Sequence, residues 1–350
     1  MQQPERFLII GQGLAGSLLA HFLLANDCEV KVIDQFSKYA ASQVAAGIIN
    51  PITGRRFVKS WKIDTLLPFA RQTYKKLEEE LGVSLYTERN IIRSLFNHRE
   101  ESDWLLRADE PPYQAYMAEE PALGNYAEST VPVYAYGEVL GGAQVHVAKF
   151  TEQYRQKLHA MNCMSEHNFE YDQLQLEANS VVYQGERFDQ LIFCEGHRAV
   201  ANPYFNYLPF GGAKGEVLIV RIPQMNYQKL LKHRVFIVPI EKDLYWIGAT
   251  YNWTFKDEQP SQEGFQFLKE RLSDFLQIPF EIVEHKAAIR PTVKDRRPFL
   301  GLHPQFPSLA IFNGLGTKGA SLGPYWAAHF VQFLLQNADL DSAVDIKRFA

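Results

Sequence analysis

The stretch Phe7-Leu8-Ile9-Ile10-Gly11-Gln12-Gly13-Leu14-Ala15-Gly16 decides the fold of this chain of 350 residues. An apolar run leads into a GxGxxG motif, and a helical pattern of apolar residues continues to about Leu24. Such a strand, turn and helix bring backbone N–H groups close to a ligand, and the helix N-terminus favours an anion. A second predicted strand, Glu29–Ile33, ends at Asp34. An acidic residue at this distance from the glycines is typical of a ribose contact; the alternative is that Asp34 only ends the strand.

A second motif of the same type lies near the other end of the chain, as Gly314-Leu315-Gly316-Thr317-Lys318-Gly319. It follows the apolar run Leu309–Phe312 and precedes a helical pattern from about Ser321 to Leu335. One such motif is a weak signal, because glycine turns also serve helix–sheet packing. Two of them, each between a strand and a helix, predict one long cofactor held at both ends. FAD fits this length better than a mononucleotide does.

Composition restricts the class of protein. Hydrophobic residues make up 46% and charged residues 22%, the balance of an ordinary globular chain that usually divides into two domains. The formal net charge of −4 argues against a general nucleic-acid binder. Cys28, Cys163 and Cys194 form no CxxC pair, so neither a disulfide framework nor a metal site is expected. No apolar run approaches the roughly 18 residues of a membrane span, and a strand begins almost at once, so we expect no signal peptide and a cytoplasmic location.

Small residues between the first two strands and a long helix form a further element. The segment Ala40–Gly47 suits a loop or helix start pressed against a flat ring, or, alternatively, a tight loop that only packs. A long amphipathic helix is predicted from about Asp64, as N-cap, to Leu81, with Gly82 as its stop.

The rest of the chain mixes helical and strand-like patterns, so the predicted class is α/β with interleaved domains. The other predicted helices are Glu100–Glu110, Ala148–Met161 and Ser261–Phe275. The other predicted strands are Val131–Tyr136, Gln173–Leu176, Val181–Tyr183, Arg187–Phe188, Gln190–Cys194, Gly215–Ile222, Val235–Pro239 and Tyr245–Thr250.

With these motifs in this order, the chain resembles the D-amino-acid oxidase-like flavoproteins, the group of glycine oxidase, sarcosine oxidase and D-amino-acid dehydrogenase. The likeness runs nearly end to end. It rests on both glycine turns and on the segments Ser42–Gly47, Gly141-Gly142, Asp189–Gly196, Gly212–Leu218, Val238-Pro239, Ile247–Thr250 and Ile289–Thr292 with Asp295, Pro298 and Gly301. The chain departs from the family pattern at Glu195, Ile240 and Ala288.

The resemblance implies a Rossmann-like FAD-binding domain interleaved with a smaller mixed α+β substrate domain on an antiparallel sheet. The predicted ranges are 1–62, 140–205 and 285–350 for the first, and 63–139 and 206–284 for the second. FAD is expected to bind non-covalently. The expected contacts are Gly11, Gly13, Leu14, Ala15, Gly16, Asp34, Gln35, Ser42, Ala46, Gly47, Gly196, Gly314, Gly316, Thr317, Lys318 and Gly319.

The resemblance also implies the residues that act on the substrate. Arg290 matches an arginine that binds the substrate carboxylate, with pairing to Asp295 as the alternative. Lys318 is expected to add positive charge near the flavin, with an exposed surface lysine as the alternative. Arg56 is the third predicted catalytic residue; Arg55 competes for this role, and both are exposed in the alternative interpretation. Among the aromatics, Tyr245, Tyr251 and Trp253 are candidates for the pocket wall, with core or interface positions as an equal alternative. The histidines are expected to be structural: His146, His197, His285 and His303.

The expected activity is FAD-dependent oxidation of an amino acid or secondary amine to an imine, by hydride transfer to flavin N5. The substrate is expected to resemble glycine, sarcosine or a D-amino acid, and oxygen or a quinone is the electron acceptor. Two alternatives stay open: FAD-dependent modification of the tRNA wobble uridine, and a non-catalytic flavin-binding module. The first of these would use a basic cluster of Arg55, Arg56, Lys59, Lys62, Lys294, Arg296 and Arg297.

Overall fold

Two main sheets organise the chain in a computed structural model that describes residues 4–124, 126–336 and 338–349. The described strands are β1 (Arg6–Ile10), β2 (Glu29–Ile33), β3 (Ile48–Ile49), β4 (Ile52–Thr53), β5 (Val58–Lys59), β6 (Tyr86–Glu88), β7 (Ile91–Leu95), β8 (Ala135–Val139), β9 (Ala143–Val145), β10 (Met164–Ser165), β11 (Leu174–Leu176), β12 (Val181–Tyr183), β13 (Glu186–Phe188), β14 (Gln190–Phe193), β15 (Ala213–Arg221), β16 (Leu230–Lys232), β17 (Phe236–Glu241), β18 (Leu244–Gly248), β19 (Glu281–Arg290), β20 (Phe299–Leu302) and β21 (Leu309–Asn313). The described α-helices are α1 (Leu14–Leu24), α2 (Ala41–Val44), α3 (Ile63–Leu81), α4 (His98–Asp109), α5 (Tyr126–Ser129), α6 (Val147–Ala160), α7 (Gln262–Ser273) and α8 (Gly319–Gln336).

The first main sheet has six strands in the order β10-β2-β1-β14-β21-β20. Its first five strands are parallel, and β20 pairs antiparallel with β21 at the edge. The run in β1 is apolar throughout because both faces of the sheet are covered. Phe7 and Ile9 pack with the helices, whereas Leu8 and Ile10 pack toward the β11–β13 meander. The predicted α/β class with a Rossmann-like sheet is confirmed.

Four helices, α1, α3, α6 and α8, share one core with the first sheet. The helices α1 and α8 approach closely where Gly323 faces Leu18, since a Cβ on this glycine would lie 2.6 Å from the leucine Cδ1. Within the ranges that the structure describes, no helix combines the length and apolarity needed to cross a bilayer.

The second main sheet has seven strands in the order β19-β15-β18-β17-β16-β7-β8. Its pairs are antiparallel except for β16 and β7, which run parallel. One face packs against α7 through residues such as Leu218, Ile247 and Leu268. The opposite face turns toward the first glycine turn and α2, and this arrangement leaves a cavity between the two sheets.

Two local predictions are wrong in their details, and one strand is missing from the prediction. Asp64 does not cap α3, which begins at Ile63; its carboxylate instead binds Lys59 Nζ at 2.6 Å. The segment Val131–Tyr136 forms a strand only from Ala135 onward. The ten-residue strand β19 was not predicted, because exposed charged residues break its alternation. Strand β19 also crosses residue 285, which was predicted to be a domain boundary. The domain ranges stay a prediction.

His21 on α1 makes the stability of the fold depend on pH. Burial first, and then the charges of Lys157 and Lys76, lower its pKa to about 4. The nearby Glu80 carboxylate, 3.4 Å from Nδ1, does not offset this because it is already paired with Lys157 Nζ. In the unfolded chain the pKa is near 6.5, so as the pH falls the unfolded state takes up a proton first.

We therefore expect His21 to lower the free energy of unfolding by up to about 3 kcal/mol as the pH falls from 6.5 to 4. Urea denaturation at about pH 7 and about pH 4.5 measures this loss. The variant His21→Gln is expected to lose less stability on acidification than the wild type. The exposed His98 supplies the matched control, His98→Gln. Equal acid sensitivity in wild type and His21→Gln contradicts the assignment.

Candidate active site

A cavity of about 1240 Å³ lies between the two sheets and contains residues from both ends of the chain. It is larger than the roughly 300–1,000 Å³ of a typical small-ligand pocket. The lining includes the segments 10–15, 33–37, 39–48, 194–198, 288–291 and 315–321, with single residues from α6 and from β15–β18. Both glycine turns therefore reach one cavity.

The first glycine turn is built for close backbone contact. Gly11 has φ +99°, and a Cβ there would lie 2.5 Å from the carbonyl oxygen of Cys194. A Cβ on Gly16 would lie 1.9 Å from the carbonyl oxygen of Gly11, so Gly16 serves the packing of α1 on the turn and does not line the cavity. Gly13, Leu14 and Ala15 line the cavity, and the N-terminus of α1 points into it with the partial positive charge that favours a phosphate.

Asp34 lines the cavity, but its carboxylate already has two protein partners. Oδ1 accepts a hydrogen bond from the Gln12 backbone N–H at 2.9 Å, and Oδ2 is paired with Arg155. Arg155 also binds Glu166 at 2.9 Å, and both Arg155 and Gln35 line the cavity. The acidic residue at the end of β2 thus fixes the glycine turn, and a ribose contact would use its remaining acceptor capacity.

The short helix α2 connects the first glycine turn with the second sheet. Ser42 Oγ accepts a hydrogen bond from the Leu14 backbone N–H at 2.9 Å. At the other end, Trp246 Nε1 donates to the Val44 carbonyl at 2.8 Å. Gly47 ends this segment with φ +69°, where a Cβ would lie 1.8 Å from the Val145 carbonyl oxygen. Ser42, Ala46 and Gly47 all line the cavity, as their predicted contact role requires.

The second glycine turn forms another part of the wall. Gly316, with φ +57°, donates its N–H to the Pro291 carbonyl at 3.1 Å, which ties this turn to the end of β19. Gly316, Thr317, Lys318 and Gly319 line the cavity, and so does Gly196. Gly314 lies behind the wall instead, since a Cβ there would meet Val293 at 2.8 Å.

Lys318 is a partly buried cavity residue. Its Nζ lies 3.2 Å from Ser60 Oγ. Burial first, and then the charges of Arg296 and Arg297, lower its pKa. The alternative of an ordinary exposed lysine does not describe this side chain, which brings positive charge to the cavity near the start of α8.

Arg290 extends from the end of β19 into the cavity. Its guanidinium lies over Gly215, where a Cβ would be 2.0 Å from Nη2, and 5.1 Å from the centre of the Tyr251 ring. Nη2 donates to the Thr250 carbonyl at 3.3 Å, whereas the buried Nη1 has no hydrogen-bond partner among the described residues. Burial lowers the pKa of Arg290, and the nearby Tyr251 opposes this effect. A guanidinium with an unused buried donor is suited to an anionic ligand.

The structure gives Asp295 another partner. Its carboxylate accepts a hydrogen bond from Arg348 Nε at 2.8 Å. No carboxylate of the described residues forms an ion pair with Arg290. The alternative interpretation, in which Arg290 pairs with Asp295, is therefore wrong.

Arg56 and Arg55 are not brought to the cavity. Both are exposed in the turn between β4 and β5, and neither lines the wall. The prediction of Arg56 as a catalytic residue finds no support in this geometry, because a two-stranded hairpin carries its turn away from the site. In the same basic cluster, Lys59 is paired with Asp64.

Only one of the three aromatic candidates lines the cavity. Tyr251 does so, but Tyr245 is a core residue whose hydroxyl donates to the Met225 carbonyl at 2.8 Å. Trp253 is 61% exposed and contacts Tyr251 edge-on, with ring centres 5.0 Å apart.

Two cavity residues have chemistry that the sequence did not explain. Glu195 accepts hydrogen bonds from the Tyr171 hydroxyl and from Asn202 Nδ2, the latter at 2.7 Å. Burial raises the pKa of this carboxyl although both hydrogen bonds lower it. His197, expected to be structural, lines the cavity, and burial lowers its pKa. Arg155 and Lys232 also line the wall and had no sequence signal, since Arg155 meets Asp34, and Lys232 meets its neighbour Arg93, only across distant parts of the chain.

Comparison with known proteins places the chain in one family. Over residues 6–332 the sequence matches the DAO family, described as FAD dependent oxidoreductase. Because this match spans most of its length, the chain belongs to the DAO family of FAD-dependent oxidoreductases.

Individual relatives are similar over nearly their whole length. Glycine oxidase of Bacillus subtilis is 22% identical over an alignment of 372 positions, gaps included, that covers 97% of this chain and 95% of the relative. Among solved structures, glycine oxidase from Bacillus cereus has a TM-score of 0.80 at 20% identity, with 96% of each chain covered. Iminodiacetate oxidase from Chelativorans sp. has a TM-score of 0.77 at 19% identity, with 97% of this chain and 98% of that chain covered.

Family membership confirms the resemblance, the oxidoreductase class and FAD as the cofactor. The geometry of the cavity also fits FAD. Gly11 and Gly13 have no side chain, so a ligand can approach the backbone at the N-terminus of α1. A Cβ on Gly13 would lie 3.2 Å from Ser42 Oγ and would occupy part of this space. Asp34 and Lys318 line the same cavity, whose volume of about 1240 Å³ provides space for a long ligand.

Proposed function

We propose that this protein oxidises a small amine that carries a carboxylate, either an amino acid or an N-substituted amino acid, to the corresponding imine. One observation carries the proposal: the Arg290 guanidinium lies in the cofactor cavity with a buried donor and without a carboxylate partner among the described residues. The names of the similar proteins, glycine oxidase and iminodiacetate oxidase, support the same substrate class.

Arg290 would bind and orient the substrate carboxylate. Its planar fork makes two parallel charge-assisted hydrogen bonds, and Tyr251 and Gly215 fix the plane of the guanidinium. The orientation holds the amine-bearing carbon in one place, which reduces the entropy that has to be lost in the reaction.

Lys318 and the N-terminus of α8 would supply positive potential at the second glycine turn. Bound FAD would accept a hydride from the substrate, the chemistry that this cofactor provides. A preorganised positive charge stabilises the negative charge that develops on the acceptor. The cofactor contacts predicted from sequence form the rest of this proposal, with Gly16 and Gly314 in supporting positions behind the wall. Non-covalent binding, oxygen or a quinone as acceptor and a cytoplasmic location remain predictions.

Anaerobic reduction of the bound flavin tests the proposed function. The panel contains glycine, sarcosine, iminodiacetate and D- and L-amino acids, each beside the amine that lacks its carboxylate, such as methylamine for glycine. Two charge-assisted hydrogen bonds of roughly 1.5–3 kcal/mol each predict that the best carboxylate substrate reduces the flavin at least about 100-fold more efficiently than its matched amine does. A flavin that bleaches with no member of the panel, or equally well without the carboxylate, contradicts the proposal.

A further inference from the structure

A row of paired residues crosses the seven-stranded sheet and places two cations side by side near one edge. In register, Val217 pairs with Gly248, Gly248 with Phe236, Phe236 with Lys232, and Lys232 with Arg93. Paired positions of neighbouring strands face the same side of a sheet. Val217, Phe236 and Lys232 line the cavity, whereas Arg93, the next residue of this row, lies behind Lys232 and does not line it.

Neither cation is neutralised by an ion pair. Lys232 Nζ donates to the Arg234 carbonyl at 3.1 Å and lies 4.5 Å from the centre of the Phe236 ring. The Arg93 guanidinium lies 4.5 Å from the centre of the Phe57 ring. Across residues 4–124, 126–336 and 338–349, no carboxylate lies within ion-pair distance of either side chain.

The local electrostatics favour an anion here. Burial first, and then the charge of Arg93, lower the pKa of Lys232 to about 8. Burial also lowers the pKa of Arg93. The charge of Glu100 opposes that effect only from a distance, since the Glu100 carboxylate accepts a hydrogen bond from the Phe96 N–H at 3.0 Å. An arginine does not lose its proton under ordinary conditions, so the pair stays positively charged and an anion relieves the repulsion.

The cation pair is separate from Arg290. Arg290 lies on β19 and Lys232 on β16, four strands apart in the sheet. At about 4.8 Å for each strand spacing, the two strands are about 19 Å apart, and both long side chains reduce this gap from either side. A single carboxylate cannot contact both cations, whereas an extended ligand with an acidic group at each end can.

We propose that Lys232, supported by Arg93, binds a second anionic group of the substrate, so that the preferred substrate is an extended amine with two carboxylates. This inference rests on the proposed function, in which Arg290 binds the first carboxylate. The aromatic and aliphatic wall between them, with Trp246 and Val217, accommodates the connecting chain.

Binding of substrate-like acids to the FAD-loaded protein tests this proposal without turnover. Calorimetric titration compares glutarate, adipate and suberate with valerate, hexanoate and octanoate, their matched monocarboxylates. The hydrophobic effect alone favours the monocarboxylates. We expect the best dicarboxylate to bind at least about tenfold more tightly than its match, since one charge-assisted hydrogen bond is worth about that factor.

Variants of Lys232 assign the preference to this site. Lys232→Met is expected to abolish the preference for dicarboxylates, and Lys232→Arg is expected to retain it. The control Lys242→Met, at an exposed position of the β17–β18 turn, leaves the preference unchanged. Equal or tighter binding of the monocarboxylates in the wild type overturns the proposal, and so does a preference that survives in Lys232→Met. If Lys232→Met fails to fold, the wild-type comparison still decides. A flavin that no amine reduces would refute the proposed function alone.

Discussion

Replacing Arg290 with methionine is expected to lower kcat/KM for a carboxylate-bearing amine by roughly 100-fold to 10,000-fold. Methionine keeps an unbranched, flexible side chain, although a shorter one, and removes every N–H donor of the guanidinium. Loss of two charge-assisted hydrogen bonds costs about 3–6 kcal/mol in a partly buried site. Anaerobic stopped-flow reduction of the flavin measures this loss directly, because it separates substrate binding from later steps.

The conservative variant distinguishes binding geometry from charge alone. Arg290→Lys keeps the positive charge but not the planar fork, so we expect it to recover only part of the lost efficiency. The matched control is Arg221→Met, at the exposed end of β15, where the guanidinium contacts Glu281 at 3.5 Å. Amines that lack a carboxylate should react equally poorly with wild type and Arg290→Met. If Arg290→Met retains wild-type efficiency with a carboxylate substrate, the assignment of Arg290 is wrong.

The cofactor half of the molecule was readable from the sequence because its signals are local. A glycine turn between a strand and a helix involves about ten neighbouring residues, and both turns could be found without any tertiary contact. The strands β1, β2 and β14 and the helix α1 likewise follow from short apolar patterns. Arg290 and Lys318 were predicted through the family resemblance, and the structure brings both to the cavity.

The other features depend on contacts between distant segments. Arg155 meets Asp34 across 121 positions of the chain, and Trp246 reaches Val44 across 202. Lys232 is one of many lysines in the sequence, and only the register of β16 against β7 places it beside Arg93. Arg56 shows the opposite case: it lies close in sequence to the small-residue loop, yet the turn between β4 and β5 directs it to solvent.

Replacing Gly11 with alanine is expected to destabilise the fold and to remove most of the bound FAD. The new Cβ would lie 2.5 Å from the carbonyl oxygen of Cys194, a backbone atom that moves only if β14 shifts against β1. The φ of +99° adds strain of about 1–2 kcal/mol for any residue with a Cβ. With the clash included, we expect a loss of about 3–5 kcal/mol in the free energy of unfolding, the range of a severe single substitution.

Gly185→Ala is the matched control, because it carries the strain without the clash. Gly185 has φ +79° in the turn between β12 and β13, and a Cβ there would meet nothing within 4 Å. We expect a loss of only about 1–2 kcal/mol and full FAD content. Thermal unfolding and the flavin absorbance of the purified protein measure both effects. If Gly11→Ala resembles Gly185→Ala in stability and colour, the close approach of the first glycine turn to β14 is not what holds the cofactor end of the cavity together.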